Sequence, residues 1–274
     1  MDFGWELLRR FGVNDLTNFR IIDPAVGAGV WLDSILNDRQ GCVGAVHGIE
    51  IDDRWNGIGE VRHFGDALWS NFPGVEDSSF DIVVGNPPFG RVRRFLPILE
   101  MSDKDSTSDR FEVINNFGQN VRSCPIELLF VERALQLARP GGWIIQVLPD
   151  SLFSNTIHQK SRDWFLERMD LRCIVKLPNS IFRRNRLNVQ TCMLLARRPK
   201  KTGRIGGNRV HMIGPRHTVH RKDLDGYLKA ALKKRSETIN QFTLKSSSLS
   251  GRRWDPGYWS GSKMLEVLKS NFDC

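Results

Sequence analysis

Ten residues, Phe80 to Phe89, read F-D-I-V-V-G-N-P-P-F. Phe80, Ile82, Val83 and Val84 give a short buried-strand signal that Gly85 breaks. Asn86 then offers a side-chain carbonyl, and Pro87 has no N–H, so this turn presents acceptors rather than donors. Pro87 and Pro88 fix two φ angles, and Phe89 adds a flat aromatic face. An amino group on a planar ring has two N–H donors and needs two rigid acceptors. Binding it this way localises the nitrogen lone pair and makes a poor nucleophile usable, while Phe89 stacks on the ring. Packing alone accounts for the prolines and the phenylalanine but leaves the asparagine unexplained.

A second constellation precedes it. Asp23-Pro24-Ala25-Val26-Gly27-Ala28-Gly29 follows the apolar stretch Phe19 to Ile22 and leads into helical spacing. Gly27 and Gly29 remove side chains where backbone must approach a ligand, and Asp23 can accept from a bound amine. The third glycine of the dinucleotide fingerprint is missing, which disfavours NAD and FAD. Glu50 ends the next strand pattern; it is either an acceptor for the two hydroxyls of a ribose or a solvated carboxylate at a helix start. Asp66, one strand–turn unit later, either accepts from an adenine amine or caps a helix. Three acids at three successive strand ends, the first beside a glycine turn, together describe a nucleotide-like pocket.

The elements that would hold these residues alternate. Residues 1–18 predict a short helix and turn, Phe19–Ile22 a strand, Val30–Asp38 a helix, Val43–Ile51 a strand and Phe80–Val84 another. The stretch 90–124 has no clear period and reads as a long loop of the kind that is usually functional. A helix from Ile126 stops at Pro140-Gly141-Gly142; Trp143–Leu148, Leu171–Leu177 and Val189–Ala196 are strands, and Ile157–Met169 is a helix. Such alternation implies a doubly wound α/β sheet, mostly parallel, with ligands at the carboxyl ends of its strands. Beyond about Arg197 the apolar content thins, which predicts an α/β domain over 19–200 and a basic C-terminal extension over 201–274. Helices are expected at Asp223–Arg235 and Gly261–Ser270, and an ordered aromatic turn at Trp254–Trp259, packed in the core or docking a partner.

The chain of 274 residues carries a formal charge of +9. A basic enzyme of this size commonly meets a polyanion, nucleic acid first. Sixteen Lys or Arg stand against two acids, Asp223 and Asp225, between Arg183 and Arg235. No apolar run reaches the roughly 18 residues of a membrane span, and the N-terminus shows no secretion signal. Five scattered cysteines without a C-x-x-C pair argue against zinc and disulfides and suit a reducing cytoplasm.

D-P-A-V-G-A-G at 23–29 followed by N-P-P-F at 86–89 resembles the S-adenosylmethionine-dependent DNA adenine-N6 methyltransferases, in the motif order of their γ group. Residues 126–153, I-E-L-L-F-V-E-R-A-L-Q-L-A-R-P-G-G-W-I-I-Q-V-L-P-D-S-L-F, are similar to the modification subunits of type I restriction systems. So is V-K-L-P-N-S-I-F at 175–182. The resemblance spans about residues 19–200 and implies a seven-stranded, Rossmann-like methyltransferase sheet. It implies that Asp23, Ala25, Gly27 and Gly29 hold the methionine part of S-adenosylmethionine, Glu50 its ribose and Asp66 its adenine. Asn86 and Pro87 would hold the target amine beside Pro88, Phe89 would stack on the base, and Phe182 would pack on it from another side or belong to the core. Transfer would be direct, without metal, from cofactor to a flipped-out adenine. Arg91, Arg93, Arg94 and the basic stretch from Arg183 would face DNA phosphates. N-P-P-[FYW] is shared with enzymes that methylate RNA or protein glutamine, the alternative reading; a non-catalytic DNA-binding subunit is a third. The aromatic-Thr-Pro motif and long helical N-terminal region of the family have no match here, so a specificity or restriction subunit is an expected partner.

Overall fold

The computed structural model describes residues 2–37, 45–55, 61–93, 110–117, 123–178, 189–200, 208–233 and 239–260. Helix α1 (Asp2–Arg10) is followed by β1 (Arg20–Asp23), α2 (Val30–Asn37), β2 (Ala45–Glu50), β3 (Val61–Phe64) and β4 (Phe80–Gly85). Short strands β5 (Arg91–Arg93) and β6 (Ser123–Pro125) pair with each other as an antiparallel ribbon, and a 3-10 turn (Glu112–Phe117) lies between them. Then come α3 (Ile126–Leu137), β7 (Ala138–Pro149), α4 (Asp150–Ser154), α5 (Gln159–Arg168), β8 (Asp170–Leu177) and β9 (Thr191–Arg197). The described chain ends with β10 (Arg209–Pro215), α6 (Leu224–Leu232), β11 (Ile239–Lys245) and α7 (Pro256–Trp259).

One sheet runs in the order β3-β2-β1-β4-β7-β9-β8-β10-β11. Only β9 and β11 run antiparallel to their neighbours. Among the described residues it has nine strands, two more than the seven expected. The additional pair, β10 and β11, comes from the stretch after residue 200. Its apolar signal is weak because β11 is an edge strand whose Asn240 to Thr243 are only half-buried. Two cores result. Trp31, Leu32 and Ile35 of α2, Leu7 and Leu8 of α1 and Tyr227 and Ala231 of α6 cover one face. Leu129 and Ala134 of α3, Phe165 of α5 and Trp259 of α7 cover the other. Gly4 permits α1 to lie on α2, since a Cβ there would stand 2.5 Å from the Trp31 ring.

Two expectations change, and one left open is decided. Helix α3 ends at Leu137, and Pro140-Gly141-Gly142 lies inside β7, not at a helix stop. The pair makes the register shift against β4: Gly141 has φ 81°, and a Cβ on Gly142 would meet the Phe80 carbonyl at 2.8 Å. The stretch 90–124 is not wholly loop, because Phe111, Val113 and Ile114 are fully buried and β5 and β6 bracket it. The aromatic turn belongs to the core: Trp254 and Trp259 are buried, and Trp254 N–H donates to the Phe153 carbonyl at 2.8 Å. The helix expected at Gly261–Ser270 lies outside the described residues. No helix among the described residues is long and apolar enough to cross a membrane.

Candidate active site

Parallel strands β1, β2, β3 and β4 bring their carboxyl ends to one edge, where Asp23, Glu50, Asp66 and Asn86 stand or follow directly. The glycine turn is stitched to β2. Val26 N–H donates to the Ile49 carbonyl at 2.9 Å, and Gly27 N–H to Glu50 Oε2 at 2.7 Å. Glu50 Oε1 accepts Asp52 N–H at 2.9 Å, so this one carboxylate organises two loops. Gly27 and Gly29 have φ 51° and 77°, in the left-handed region that favours glycine. A Cβ at Gly27 would find nothing within 4 Å, so the backbone faces open space there.

Asp23 is 1% exposed and its Oδ1 accepts Ala25 N–H at 2.9 Å. Burial pushes its carboxyl up to about 7, with a smaller push from Glu50 and an opposing pull from the Ala25 N–H. A cation placed beside a carboxyl in this state would favour its ionised form. Asp66 turns the chain after β3: its Oδ1 takes Leu68 N–H at 2.9 Å, as a capping side chain does. Burial raises its carboxyl as well, against the Leu68 bond and the Arg110 charge.

Asn86 follows the end of β4, and its Oδ1 is buried with no hydrogen-bond partner among the described residues. Pro87 is buried, Pro88 is exposed, and Phe89 is 38% exposed, an aromatic ring left open beside the amide. Arg91 lies just beyond; its guanidinium donates to Ser123 Oγ at 2.9 Å and to the Ser123 carbonyl at 2.8 Å. Arg93 closes the same ribbon, while Arg94 and Phe182 lie outside the described residues.

The described part of the basic stretch divides between the two edges of the sheet, while residues 183–188 and 201–207 lie outside the described residues. Arg197 donates to the Gly141 carbonyl and Arg198 to the Gln136 and Ala138 carbonyls, at the edge opposite the site. These two cations are structural. Arg216 and His217 instead follow the carboxyl end of β10 and are exposed on the site's edge.

Two residues escape a sequence reading. Gln146 on β7 lies beside Gly85 in register, fully buried; its Nε2 donates to the Phe130 carbonyl at 3.1 Å and its Oε1 has no partner among the described residues. Its position within an apolar strand pattern is the one signal that marks it. Glu127, in the first turn of α3, is buried against the turn after Phe89. No local spacing links it to residues 37 positions earlier.

Residues 42–182, more than half of the chain, match the Eco57I restriction-modification methylase family. The chain belongs to that family. Within the match lie Glu50, Asp66, the N-P-P-F turn and Gln146. The chain is 27% identical over 138 residues to the type I restriction enzyme EcoEI methylase subunit of Escherichia coli, covering 50% of this chain and 23% of that one. It is 25% identical over 167 residues to protein YtxK of Bacillus subtilis (strain 168), covering 61% of this chain and 48% of YtxK. It therefore spans about half the length of one relative and a quarter of the other. Its fold is that of a Listeria monocytogenes chain assigned to the class I S-adenosylmethionine-dependent methyltransferases, with TM-score 0.57, 16% identity, and 85% of this chain and 70% of that one covered.

Proposed function

We propose that this chain methylates DNA, moving a methyl group from S-adenosylmethionine to the N6 amine of a flipped-out adenine, within a restriction-modification or related defence system. The observation that carries the reading is Asn86 Oδ1, a buried acceptor without a partner among the described residues at the end of β4, beside an open aromatic ring. An unpaired buried amide carbonyl costs about 1–3 kcal/mol, a cost that an incoming N–H donor removes.

The turn over residues 23–29 fits the cofactor. Open space over Gly27 admits a ligand against the backbone, and the ammonium of the methionine part supplies a cation to the buried carboxyl of Asp23. Glu50 serves the ribose, Asp66 the adenine ring, and Ala25 and Gly29 line the turn. When bound, the cofactor supplies an electrophilic methyl group on a sulfonium. Asn86 Oδ1 and the Pro87 carbonyl accept the two hydrogens of the target amine and direct its lone pair at that methyl carbon. The cofactor would give up that methyl group with the S–C electron pair left on sulfur, and the amine held by Asn86 and Pro87 would shed its surplus proton to water. Phe89 stacks on the base and holds its plane. Positioning supplies most of the acceleration, and no general base is required.

The adenine must leave the duplex to reach this turn. Arg216, His217 and Lys222, exposed after β10, contact phosphates and make binding fall steeply with salt. A specificity or restriction subunit is the expected protein partner, in keeping with the subunit status of the EcoEI relative. The test is incubation with methyl-labelled S-adenosylmethionine and duplex DNA, followed by digestion to nucleosides. Label in N6-methyladenine is expected; label confined to cytosine, RNA or protein overturns the reading.

A further inference from the structure

The turn that carries Asn86 is held at its far end by one helix. Between Asn86 and Gly90 the described hydrogen bonds are two, both at Gly90. Gly90 N–H donates to Glu127 Oε2 at 3.3 Å, and the Gly90 carbonyl accepts Ile126 N–H at 3.0 Å. Both backbone polar groups of Gly90 are therefore taken by the first two residues of α3. At the near end, Gly85 is fixed by pairing with Gln146 on β7. Pro87 and Pro88 have no N–H to contribute, so the turn between these anchors is stiff but not otherwise tied.

Glu127 is an expensive choice for this task. It is 6% exposed, and burial raises its carboxyl above the ordinary range, opposed by the Gly90 N–H and by the Arg91 charge. An apolar side chain at the start of a core helix would avoid that penalty. What an apolar side chain cannot do is accept the Gly90 N–H. The same helix repeats the device one turn further on, where buried Glu132 accepts Glu112 N–H and Val113 N–H, both at 2.9 Å. In both places α3 uses a buried carboxylate to hold backbone that has no partner in the sheet.

We propose that Glu127 is a positioning residue for methyl transfer: by accepting the Gly90 N–H it fixes the end of the N-P-P-F turn, so that Phe89 and the two acceptors keep their spacing around the target base. The inference rests on the functional reading above. Glu127 touches neither base nor cofactor; it acts through the backbone of Gly90.

The test compares Glu127→Ala, Glu127→Leu and Glu127→Gln in the full chain, with labelled S-adenosylmethionine and duplex DNA, alongside amide exchange over residues 86–93. A displacement near 1 Å at a reacting group costs about 100-fold, so kcat should fall about 10- to 100-fold in the alanine and leucine variants. Cofactor Kd should stay within about twofold, because the glycine turn is untouched. Glutamine keeps a carbonyl at the same reach and should restore most of kcat; a merely space-filling role would instead be restored by leucine. Exchange over 86–93 should quicken in the alanine and leucine variants and stay slow in the glutamine variant. Wild-type kcat in Glu127→Leu, or leucine rescuing as well as glutamine, would overturn the proposal. If the wild-type chain methylates no adenine, the functional reading fails instead; unchanged exchange over 86–93 in Glu127→Leu then overturns the role of Glu127 on its own.

Discussion

Gly27 donates its backbone N–H to Glu50 Oε2 at 2.7 Å, so a carboxylate at the end of β2 fixes the glycine turn that follows β1. The second oxygen takes Asp52 N–H at 2.9 Å. Glu50 is thus both a proposed ribose acceptor and the clip that shapes the pocket. Glu50→Ala removes the carboxylate that accepts both N–H groups and should cost roughly 1–3 kcal/mol of stability. Glu50→Gln keeps one acceptor but turns an NH2 group toward the other N–H, and should weaken S-adenosylmethionine binding at least about tenfold, about 1.4 kcal/mol. Calorimetric titration and urea unfolding check both.

Gly48 on β2 lies under the same turn. A Cβ at Gly48 would stand 3.1 Å from Val26 Cγ2 and 3.2 Å from Val26 Cβ, closer than ordinary contact. Gly48→Ala should therefore displace Val26 and with it Gly27, at a cost of about 1–3 kcal/mol from overpacking. Cofactor affinity should fall with it. Val26→Ala in the same chain should recover most of the loss, since it removes the opposing methyls. An additive double variant would show that the two residues do not couple.

Cofactor affinity should depend on pH through Asp23. Its carboxyl titrates at about 7 in the free protein, and an ammonium beside it favours the ionised form, lowering the value in the complex. Binding thus releases a proton near pH 7. Affinity should be full above pH 7 and fall as pH drops below it, by up to about tenfold per unit. Calorimetry in buffers of different ionisation enthalpy measures the released proton. Asp23→Asn should abolish both the slope and most of the binding.

His158 gives a stability prediction of definite sign. Burial, then the charges of Arg162 and Arg91, push its imidazole down to about 4. Unfolded histidine titrates near about 6.5, so its contribution is whole above that pH and is lost as pH falls from about 6.5 toward 4. Wild type should lose on the order of 1–3 kcal/mol over that window that His158→Gln does not lose. Buried carboxyls such as Asp23 shift the opposite way, so the difference between the two proteins is the quantity to follow. Urea unfolding at pH 7.5, 6 and 5 supplies it.

How far the sequence reaches can be judged residue by residue. The strand ends of Asp23, Glu50 and Asn86 are legible because each follows a run of buried apolar residues closed by a turn signal. The aromatic turn at Trp254–Trp259 is visible as a turn, yet its burial depends on the Phe153 carbonyl a hundred residues away. Strand β11 is not legible, since an edge position asks little apolar content of it. Pro140-Gly141-Gly142 misleads because the same residues that end helices also make a bulge against β4. Glu127 and Gln146 read as ordinary helix and strand residues until the backbone of the N-P-P-F turn and the end of β4 are laid against them.

The most direct test is Asn86→Ala, assayed for methyl transfer to duplex DNA and for S-adenosylmethionine binding. A positioned hydrogen-bond acceptor of this kind is worth about 100- to 1,000-fold in kcat. The variant should lose transfer by at least that factor, with cofactor Kd within about twofold of wild type. Transfer at the wild-type rate by Asn86→Ala would contradict the account.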